Sequence, residues 1–469
     1  MFKLLRVLVV PLSLILLDTA ALKAQSKPGA MEVWLSDPAA GILFKKQTPA
    51  KFIEEPATGT IITVDASARY QSVDGYGFAL TGGSAQHIVR MGSAARKALL
   101  KELFSTKGTG IGTSYIRLSI GASDLNEKVF SYNDLATGET DTALLKFDLG
   151  PDKLDVIPVM KEILAINPRI KIMGSPWSPP VWMKDNNDTR GGSLKPEYYR
   201  VYAKYFVKYI REMKKQGIII DAVTVQNEPL HPGNNPSLLM LAADQAIFVR
   251  DHLGPLFKKE RITTKIIIYD HNADKPEYPI SILNDPEAKK YIDGSAFHLY
   301  GGKIGALSTV HDAHPDRNLY FTEQWVGAPG NMGKDLQEHT RNLTIGAMRN
   351  WSKTVIEWNL AADPKNDPHT DRGGCDRCLG AVTIDRDSVK RNPAYYIIAH
   401  AAKFVRPGSV RIKSDALDNL PNVAFVTPEG KRVLLVLNDT KSPVDFSVVY
   451  GQKSVRLNLA AGSVATYIF

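Results

Sequence analysis

From residue 74 to about residue 400, apolar segments with strand composition alternate with segments of helical periodicity, and this alternation restricts the fold more than any other feature. Alternating β and α units are typical of a parallel sheet covered by helices. Eight strands are predicted, which is the number that a closed barrel requires. They are 74–79, 115–120, 170–174, 222–226, 265–269, 294–298, 319–322 and 354–358. The sequence therefore predicts an α/β fold, a (β/α)8 TIM barrel over residues 74–400.

The two ends of the chain have a different pattern. Beyond residue 401, short runs of Val, Leu, Phe and Tyr are interrupted by Gly, Pro and Asn, as at 432–438, which is typical of antiparallel strands. The segment 25–73 is similarly rich in strand-forming residues. We therefore expect 401–469 to form a β-sandwich attached to the barrel, with 25–73 supplying further strands to it.

Residues 1–24 have the pattern of a secretory signal peptide. Lys3 and Arg6 precede an apolar run from Val7 to Leu17 that is too short to span a bilayer. An uncleaved membrane anchor is the alternative interpretation. No later segment is apolar for long enough to cross a membrane, so we expect a secreted or periplasmic protein without an integral membrane segment after signal removal.

The net charge does not indicate a nucleic-acid partner. Residues 1–24 hold three basic residues and one acidic residue, so their removal lowers the formal charge from +9 to +7. Lys and Arg are scattered among acidic residues, and no basic run is interleaved with aromatics. We interpret the excess charge as favouring solubility or attraction to an anionic surface.

The only two cysteines are Cys375 and Cys378. A zinc site needs about four ligands, and His369 is the only histidine nearby. A redox pair would open a helix in a thioredoxin-like unit, which this segment does not resemble. A local disulfide in an exported chain is the favoured interpretation, and neither a metal nor a cofactor is predicted.

Two glutamates, Glu228 and Glu323, follow apolar strands at their carboxyl ends. The strands of a parallel barrel all end at one face, so both carboxylates should point into the same mouth. Two carboxyl groups about 5 Å apart across a sugar acetal supply a nucleophile and a proton donor for retaining hydrolysis. Either glutamate alone would be read equally well as a salt-bridged strand end, but the matched pair predicts a glycosidase.

Other residues at the predicted strand exits suit a sugar site. Arg117 lies in an apolar strand, where it needs a negative partner, and it is a candidate to keep Glu323 ionised. Asn227 precedes Glu228, and its amide is suited to a sugar hydroxyl. Trp177 and Trp358 each stand among polar neighbours, as aromatic sugar platforms do, although either alone would more often be a core residue. His298 and Tyr300 alternate along one strand and should share a face.

Taken together in chain order, these motifs resemble glycoside hydrolase family 30, which includes glucosylceramidases and β-1,6-glucanases. The motifs are Gly-Phe-Ala-Leu-Thr-Gly-Gly at 77–83, Arg117 with Ser123-Asp124-Leu125, Ser-Pro-Trp at 175–177, Asn-Glu-Pro at 227–229, His298 with Tyr300, Phe-Thr-Glu at 321–323 and Trp-Asn-Leu at 358–360. The resemblance covers nearly the whole mature chain. It implies a barrel with a sandwich built from both chain ends, and retention through a glucosyl–enzyme ester.

The resemblance also implies roles for individual residues. It implies that Glu228 is the acid/base and that Glu323 is the nucleophile. It also implies that Asn227 contacts the 2-hydroxyl and that Arg117 and Tyr300 support the nucleophile. Asp124, Trp177 and Trp358 would frame the glucose, and His298 would line the site.

The substrate is less constrained than the chemistry. The loop around Cys375 and Cys378 resembles bacterial family members that act on glucans, and polar loops at 184–188 and 232–236 suit a hydrated polysaccharide. We therefore expect an endo-β-1,6-glucanase, with Trp182 or Trp325 stacking a second glucose. A glucosylceramidase is the alternative, a xylan-directed enzyme is a weaker one, and a non-catalytic carbohydrate-binding barrel is the remote one.

Overall fold

A computed structural model describes residues 29–54 and 56–469, so the predicted signal peptide at 1–24 lies outside the described residues. The described residues begin with three strands, β1 (Ala30–Asp37), β2 (Ile42–Lys51) and β3 (Thr60–Ser72). The barrel follows them, and the chain ends in a second group of strands. This order confirms the predicted fold class.

Eight parallel strands close into the barrel. They are β4 (Gly75–Leu80), β5 (Tyr115–Ser119), β6 (Lys171–Ser175), β7 (Ala222–Thr224), β8 (Lys265–Ala273), β9 (Ile292–Gly302), β10 (Asn318–Glu323) and β12 (Ser352–Asn359). Each pairs with its neighbours in chain order, and β12 pairs with β4 to complete the ring. All eight coincide with the predicted segments to within a few residues.

Eleven α-helices are present in the described part of the chain, most of them around the barrel. They are α1 (Gly82–Arg90), α2 (Ser93–Phe104), α3 (Val156–Ile166), α4 (Tyr199–Lys215), α5 (Ala242–Ile247), α6 (Gly254–Lys259), α7 (Glu277–Leu283), α8 (Pro286–Lys289), α9 (Ala306–Ala313), α10 (Met332–His339) and α11 (Pro393–Ala402). Helix α4 shows why they form, because Tyr202, Tyr205 and Tyr209 recur at helical spacing and are all buried.

A layer of side chains fills the inside of the barrel below its mouth. It consists of Tyr115, Met173, Ala222, Ile267, Ala296, Tyr320 and Ile356. Gly77 is required beside this layer, because a Cβ at this position would lie 1.7 Å from the Tyr115 carbonyl oxygen. The barrel is therefore a packed core and not a pore, and a substrate can approach only at an end.

Strands from both chain ends form the second domain. Its later strands are β17 (Val410–Ser414), β18 (Asn422–Val426), β19 (Arg432–Leu437), β20 (Val444–Tyr450), β21 (Lys453–Leu459) and β22 (Val464–Ile468). The hydrogen-bonded order is β2-β1-β22-β19-β18-β17-β3-β20-β21. The two strands at the ends of this order, β2 and β21, come together where Ile53, just after β2, forms a β-bridge with Ser454 on β21. The strands therefore enclose a shared apolar core. The amino-terminal strands β1, β2 and β3 belong to this sheet, as predicted.

Helix α11 joins the sandwich to the barrel. The fully buried His400 bridges β1 and β22, because its ring nitrogens lie 2.8 Å from Ser36 Oγ and 2.9 Å from Thr466 Oγ1. Phe44 packs edge-on against the same ring. Burial lowers the pKa of His400 from 6.5 to about 3, so the ring is neutral in the folded protein.

This burial predicts acid-dependent stability. Between about pH 6.5 and pH 3 the unfolded chain binds a proton at His400 that the folded chain does not bind, so lowering the pH destabilises the fold. The expected contribution is up to about 1.4 kcal/mol per pH unit. Urea unfolding of the parent and of His400→Gln should show a shallower pH dependence in the variant, because Gln keeps donor and acceptor groups but does not titrate. Equal slopes would contradict the assignment.

Candidate active site

The two predicted glutamates lie at the same mouth of the barrel. Glu228 follows β7 and Glu323 is the last residue of β10, and they are only 7% and 5% exposed. Both line a cavity of about 540 Å³, a size typical of small-ligand sites. Further lining residues are Asp124, His231, Asn234, His271, Asn272, Leu299, Tyr300, Gln324, Trp325, Trp358, Cys375 and Cys378.

Arg117 on β5 connects the groups beneath this cavity. One of its Nη atoms lies 2.5 Å from Glu323 Oε2, and the other donates to Asn227 Oδ1 at 2.7 Å and to Asp270 Oδ2 at 2.8 Å. Its Nε donates to Ser175 Oγ at 3.1 Å. The guanidinium is fully buried, and two carboxylates compensate its charge. The fork of donors in arginine, which lysine lacks, holds four side chains at once.

Glu323 accepts hydrogen bonds at both carboxylate oxygens. The Tyr300 hydroxyl donates to Oε1 at 2.9 Å, and Arg117 donates to Oε2. Burial and the negative charge of Glu228 raise the pKa of Glu323, against the lowering effects of His298 and Arg117. Although Tyr300 is 40% exposed as a residue, its hydroxyl faces Glu323, and burial of this group raises its pKa, which keeps it a donor.

Glu228 lies beside two histidines. Its Oε1 is 3.2 Å from Nδ1 of His298 and 3.8 Å from Nδ1 of His271. Burial opposes ionisation of Glu228, but the interactions with both rings outweigh it and lower the pKa of this carboxyl. The backbone of Glu228 is left-handed, with φ +45°, and its N–H donates to the Asp270 carbonyl at 2.9 Å, which helps to hold this strained conformation.

His298 lies between the two glutamates. Its Nδ1 is also 3.8 Å from Glu323 Oε1, while its Nε2 is 3.1 Å from Asp270 Oδ1. Burial disfavours the charged ring, but Glu323, Asp270 and Glu228 outweigh this effect and raise the pKa of His298 to about 9. The His298 ring is therefore a cation at neutral pH, with a proton on each nitrogen.

Asp270 and His271 were missed by the sequence reasoning. Asp270 is fully buried, and its carboxylate accepts from Thr224 and Thr322 at 2.6 Å as well as from Arg117. Burial opposes ionisation of Asp270, but Arg117 and His298 lower its pKa. The available signal was the polar tip Asp270-His271-Asn272 after the apolar run of β8, which is the same pattern that revealed Glu228.

Two tryptophans form a wall beside Arg117. The rings of Trp177 and Trp358 stack with centroids 5.3 Å apart. The Arg117 guanidinium carbon lies 4.9 Å from the centroid of Trp177 and 5.8 Å from that of Trp358. Such contacts favour a desolvated cation. Trp358 lines the cavity, whereas Trp177 is buried behind it, and its Nε1 has no hydrogen-bond partner within the described residues.

Asp124 lines the same cavity and is 6% exposed. Burial, followed by the negative charges of Glu323 and Glu228, raises the pKa of Asp124 to about 8. Its carboxyl group therefore holds a proton near neutral pH and can both donate to and accept from a hydroxyl.

Five short strands follow the last two barrel strands, and a disulfide lies at the rim of the cavity. They are β11 (Val326–Gly327), β13 (Ala361–Ala362), β14 (Cys378–Leu379), β15 (Val382–Asp385) and β16 (Ser388–Arg391). Cys375 and Cys378 are joined with an S–S distance of 2.07 Å, and β14 pairs with β11. Trp325 lines the cavity, but Trp182 does not, since its Nε1 donates to Asn133 at 3.1 Å and its ring lines another cavity. Of the two tryptophans expected to stack a second glucose, only Trp325 is suitably placed.

Comparisons with known proteins agree with this geometry. The family model described as the glycosyl hydrolase family 30 TIM-barrel domain matches residues 73–405, and the family 30 beta sandwich domain matches 408–467. An endo-1,6-beta-D-glucanase of Neurospora crassa is 34% identical over 401 residues, covering 80% of this chain and 81% of that protein. The lysosomal acid glucosylceramidase of Mus musculus is 29% identical over 419 residues, covering 83% and 79%.

Among solved structures, the endo-beta1,6-glucanase BT3312 superposes with a TM-score of 0.87 at 35% sequence identity. The alignment covers 94% of this chain and 99% of that one. The similarity therefore extends over both the barrel and the sandwich.

The buried ion pairs of Arg117 with Asp270 and Glu323 predict that loss of the arginine strongly destabilises the fold. Arg117→Met leaves two buried carboxylates without their cation and should lower the free energy of unfolding by about 3–5 kcal/mol. Arg211→Met is the matched control, because Arg211 pairs with Glu260 at the surface and should cost less than about 1 kcal/mol. Urea denaturation measures both variants, and equal losses would show that the buried network does not stabilise the fold.

Proposed function

Because the chain belongs to glycosyl hydrolase family 30, we propose that this glycoside hydrolase cleaves β-1,6-linked glucan within the chain, with retention of configuration. The observation that carries the chemistry is the pair of buried glutamates around one nitrogen of His298. The distances from His298 Nδ1, 3.2 Å and 3.8 Å, add to 7.0 Å, which is the greatest possible separation of the two Oε1 atoms. The spacing of retaining enzymes, about 5 Å, fits within this limit.

Glu323 is the proposed nucleophile. Its carboxylate attacks the anomeric carbon, and the glycosidic oxygen leaves as the ester to Glu323 forms. Arg117 and Tyr300 support this role, because each holds one oxygen of the carboxylate and orients it. Both donors stabilise the ionised form of Glu323 and so oppose the burial and the charge of Glu228 that raise its pKa.

Glu228 is the proposed acid and base. The pKa of Glu228 is lowered and that of His298 is raised, so the proton that this pair can exchange rests on the His298 ring before the reaction. Transfer of the proton from Nδ1 to Glu228 Oε1, across 3.2 Å, produces the carboxylic acid that protonates the leaving oxygen. In the second step the Glu228 carboxylate deprotonates the water that hydrolyses the ester.

The remaining residues have proposed binding roles. Arg117 fixes Asn227 with its amide oxygen as acceptor, so the amide nitrogen is the group that meets the 2-hydroxyl. Asp124 and Trp358 line the cavity and are proposed to frame the glucose, and Trp177 supports Trp358 from behind by stacking against it.

The polar rim favours a hydrated substrate. Arg372 bonds to Asp188 at 2.9 Å, and Asn235 accepts from Thr189 at 2.6 Å, which ties the loops around the cavity together through polar groups. An enzyme that binds ceramide needs an apolar rim for alkyl chains. Glucosylceramide is the second candidate, supported by the similarity to a glucosylceramidase.

Secretion through residues 1–24 is also proposed, and the amino-terminal sequence of the exported protein tests it. No helix among residues 29–54 and 56–469 is long and apolar enough to cross a membrane.

The roles of the glutamates predict distinct kinetics. Glu323→Gln should lower kcat by at least about 10⁴-fold, because no ester can form. Glu228→Ala should lower it by about 10²–10⁴-fold, and azide should restore turnover of an activated aryl β-glucoside with a β-glucosyl azide as product. Glu338→Gln, at an exposed position on α10, is the control and should retain full activity. An α-azide product would indicate inversion.

The substrate proposal is tested by specificity constants. We expect kcat/KM for pustulan and gentio-oligosaccharides to exceed that for glucosylceramide, because the rim is polar and Trp325 is placed to stack a second sugar. An aryl β-glucoside serves as reference, since it contains the same glycone. A preference for glucosylceramide, or stimulation by anionic lipid, would contradict the glucan assignment and leave the double displacement intact.

A further inference from the structure

Three metal-binding side chains meet at the mouth of the barrel. Glu228 follows β7, His271 lies on β8 and His298 lies on β9, so three consecutive barrel strands supply them. One ligand atom from each lies within 4.8 Å of the others, and all three residues are buried. No second group of three such side chains occurs in the part of the chain that the structure describes.

The distances suit a small transition-metal ion. Zn²⁺ binds imidazole nitrogen and carboxylate oxygen at about 2.0–2.2 Å, so neighbouring ligand atoms of a tetrahedral site lie about 3.3 Å apart. Glu228 Oε1 is 3.2 Å from Nδ1 of His298 and 3.8 Å from Nδ1 of His271. Small rotations of the side chains are therefore enough to bring all three ligand atoms to one ion, and the cavity leaves a fourth position for water.

Two features of the histidines point to a ligand. His271 Nδ1 is buried and has no hydrogen-bond partner among the described residues, and its side chain is 8% exposed. His298 Nε2 faces Asp270 Oδ1 at 3.1 Å, which leaves Nδ1 directed at Glu228. A carboxylate behind a histidine is the arrangement that orients imidazole ligands and strengthens metal binding.

We propose that Glu228, His271 and His298 form an inhibitory Zn²⁺ site that overlaps the catalytic centre. The ion would lie between Glu228 Oε1 and His298 Nδ1, which are 3.2 Å apart. Glu323 lies 3.8 Å from His298 and adds a negative charge that favours the cation. The inhibitory consequence rests on the proposed role of Glu228, because a carboxylate bound to zinc cannot protonate a leaving group, whereas binding itself does not depend on that role.

Calorimetric titration of the untagged protein with ZnCl₂ tests the binding site. We expect one ion per chain, and at least about tenfold weaker binding in His271→Gln, which removes one imidazole at similar size. His231→Gln is the matched control, because His231 lies exposed on the rim of the same cavity and should keep the parental affinity. No binding, or equal affinity in His271→Gln and the parent, would overturn the proposal.

A second variant keeps the test independent of His271. Glu228→Gln retains the shape of the side chain but removes its charge, and calorimetry should again show at least about tenfold weaker binding whatever the effect on turnover. Circular dichroism establishes that each variant is folded. Unchanged zinc affinity in folded Glu228→Gln would exclude this carboxylate as a ligand and overturn the proposal.

Inhibition is measured separately on an aryl β-glucoside. Zn²⁺ should inhibit competitively, and EDTA should restore activity. The inhibition constant should be at least about tenfold higher for His271→Gln than for the parent, with the inhibition of each protein expressed as a fraction of its own activity without zinc. Mg²⁺ at the same concentration should have no effect, because it prefers oxygen ligands. Inhibition that does not compete with substrate would place the ion elsewhere. Binding without inhibition would count against the role of Glu228 and would overturn the inhibitory part of the proposal.

Discussion

The buried charge of Arg117 is the constraint on which the catalytic centre depends. An isolated guanidinium is very costly inside a protein, and here Asp270 and Glu323 neutralise it while Ser175 and Asn227 accept its remaining donors. These partners come from different barrel strands or the loops that follow them. The cation therefore sets the relative positions of the strand ends, and an arginine is needed because its planar fork can bond in several directions at once.

The closed barrel makes this arrangement possible, since parallel strands deliver their carboxyl ends to a single face. The packed layer of side chains below that face blocks access to the site through the inside of the barrel and supports the strands. The sandwich is joined to the barrel through α11, where the buried His400 connects β1 with β22. The strands from the two chain ends and the barrel are thus packed together into one structure.

The eight strands and the two glutamates could be predicted because each strand is an apolar run with a polar tip, a pattern that is local in the sequence. Arg117 was predictable as a buried cation in need of an anion. Asp270 was not identified, because its importance comes from four partners distant in sequence, Arg117, Thr224, His298 and Thr322. The direction of Trp182 was not predictable either, because its indole is fixed by Asn133 through loop geometry that has no periodicity.

The surroundings of His298 connect the proposed acid with the proposed zinc site. Three carboxylates, those of Glu228, Asp270 and Glu323, surround the His298 ring and hold it as a cation, although burial alone would make it neutral. A site that must retain a proton between a carboxylate and an imidazole also presents two good zinc ligands at nearly the correct spacing. His271 adds a third, since its Nδ1 lies 3.8 Å from the same oxygen of Glu228 and has no hydrogen-bond partner among the described residues. The carboxylates that favour a protonated His298 would therefore also favour a divalent ion at the proposed zinc site.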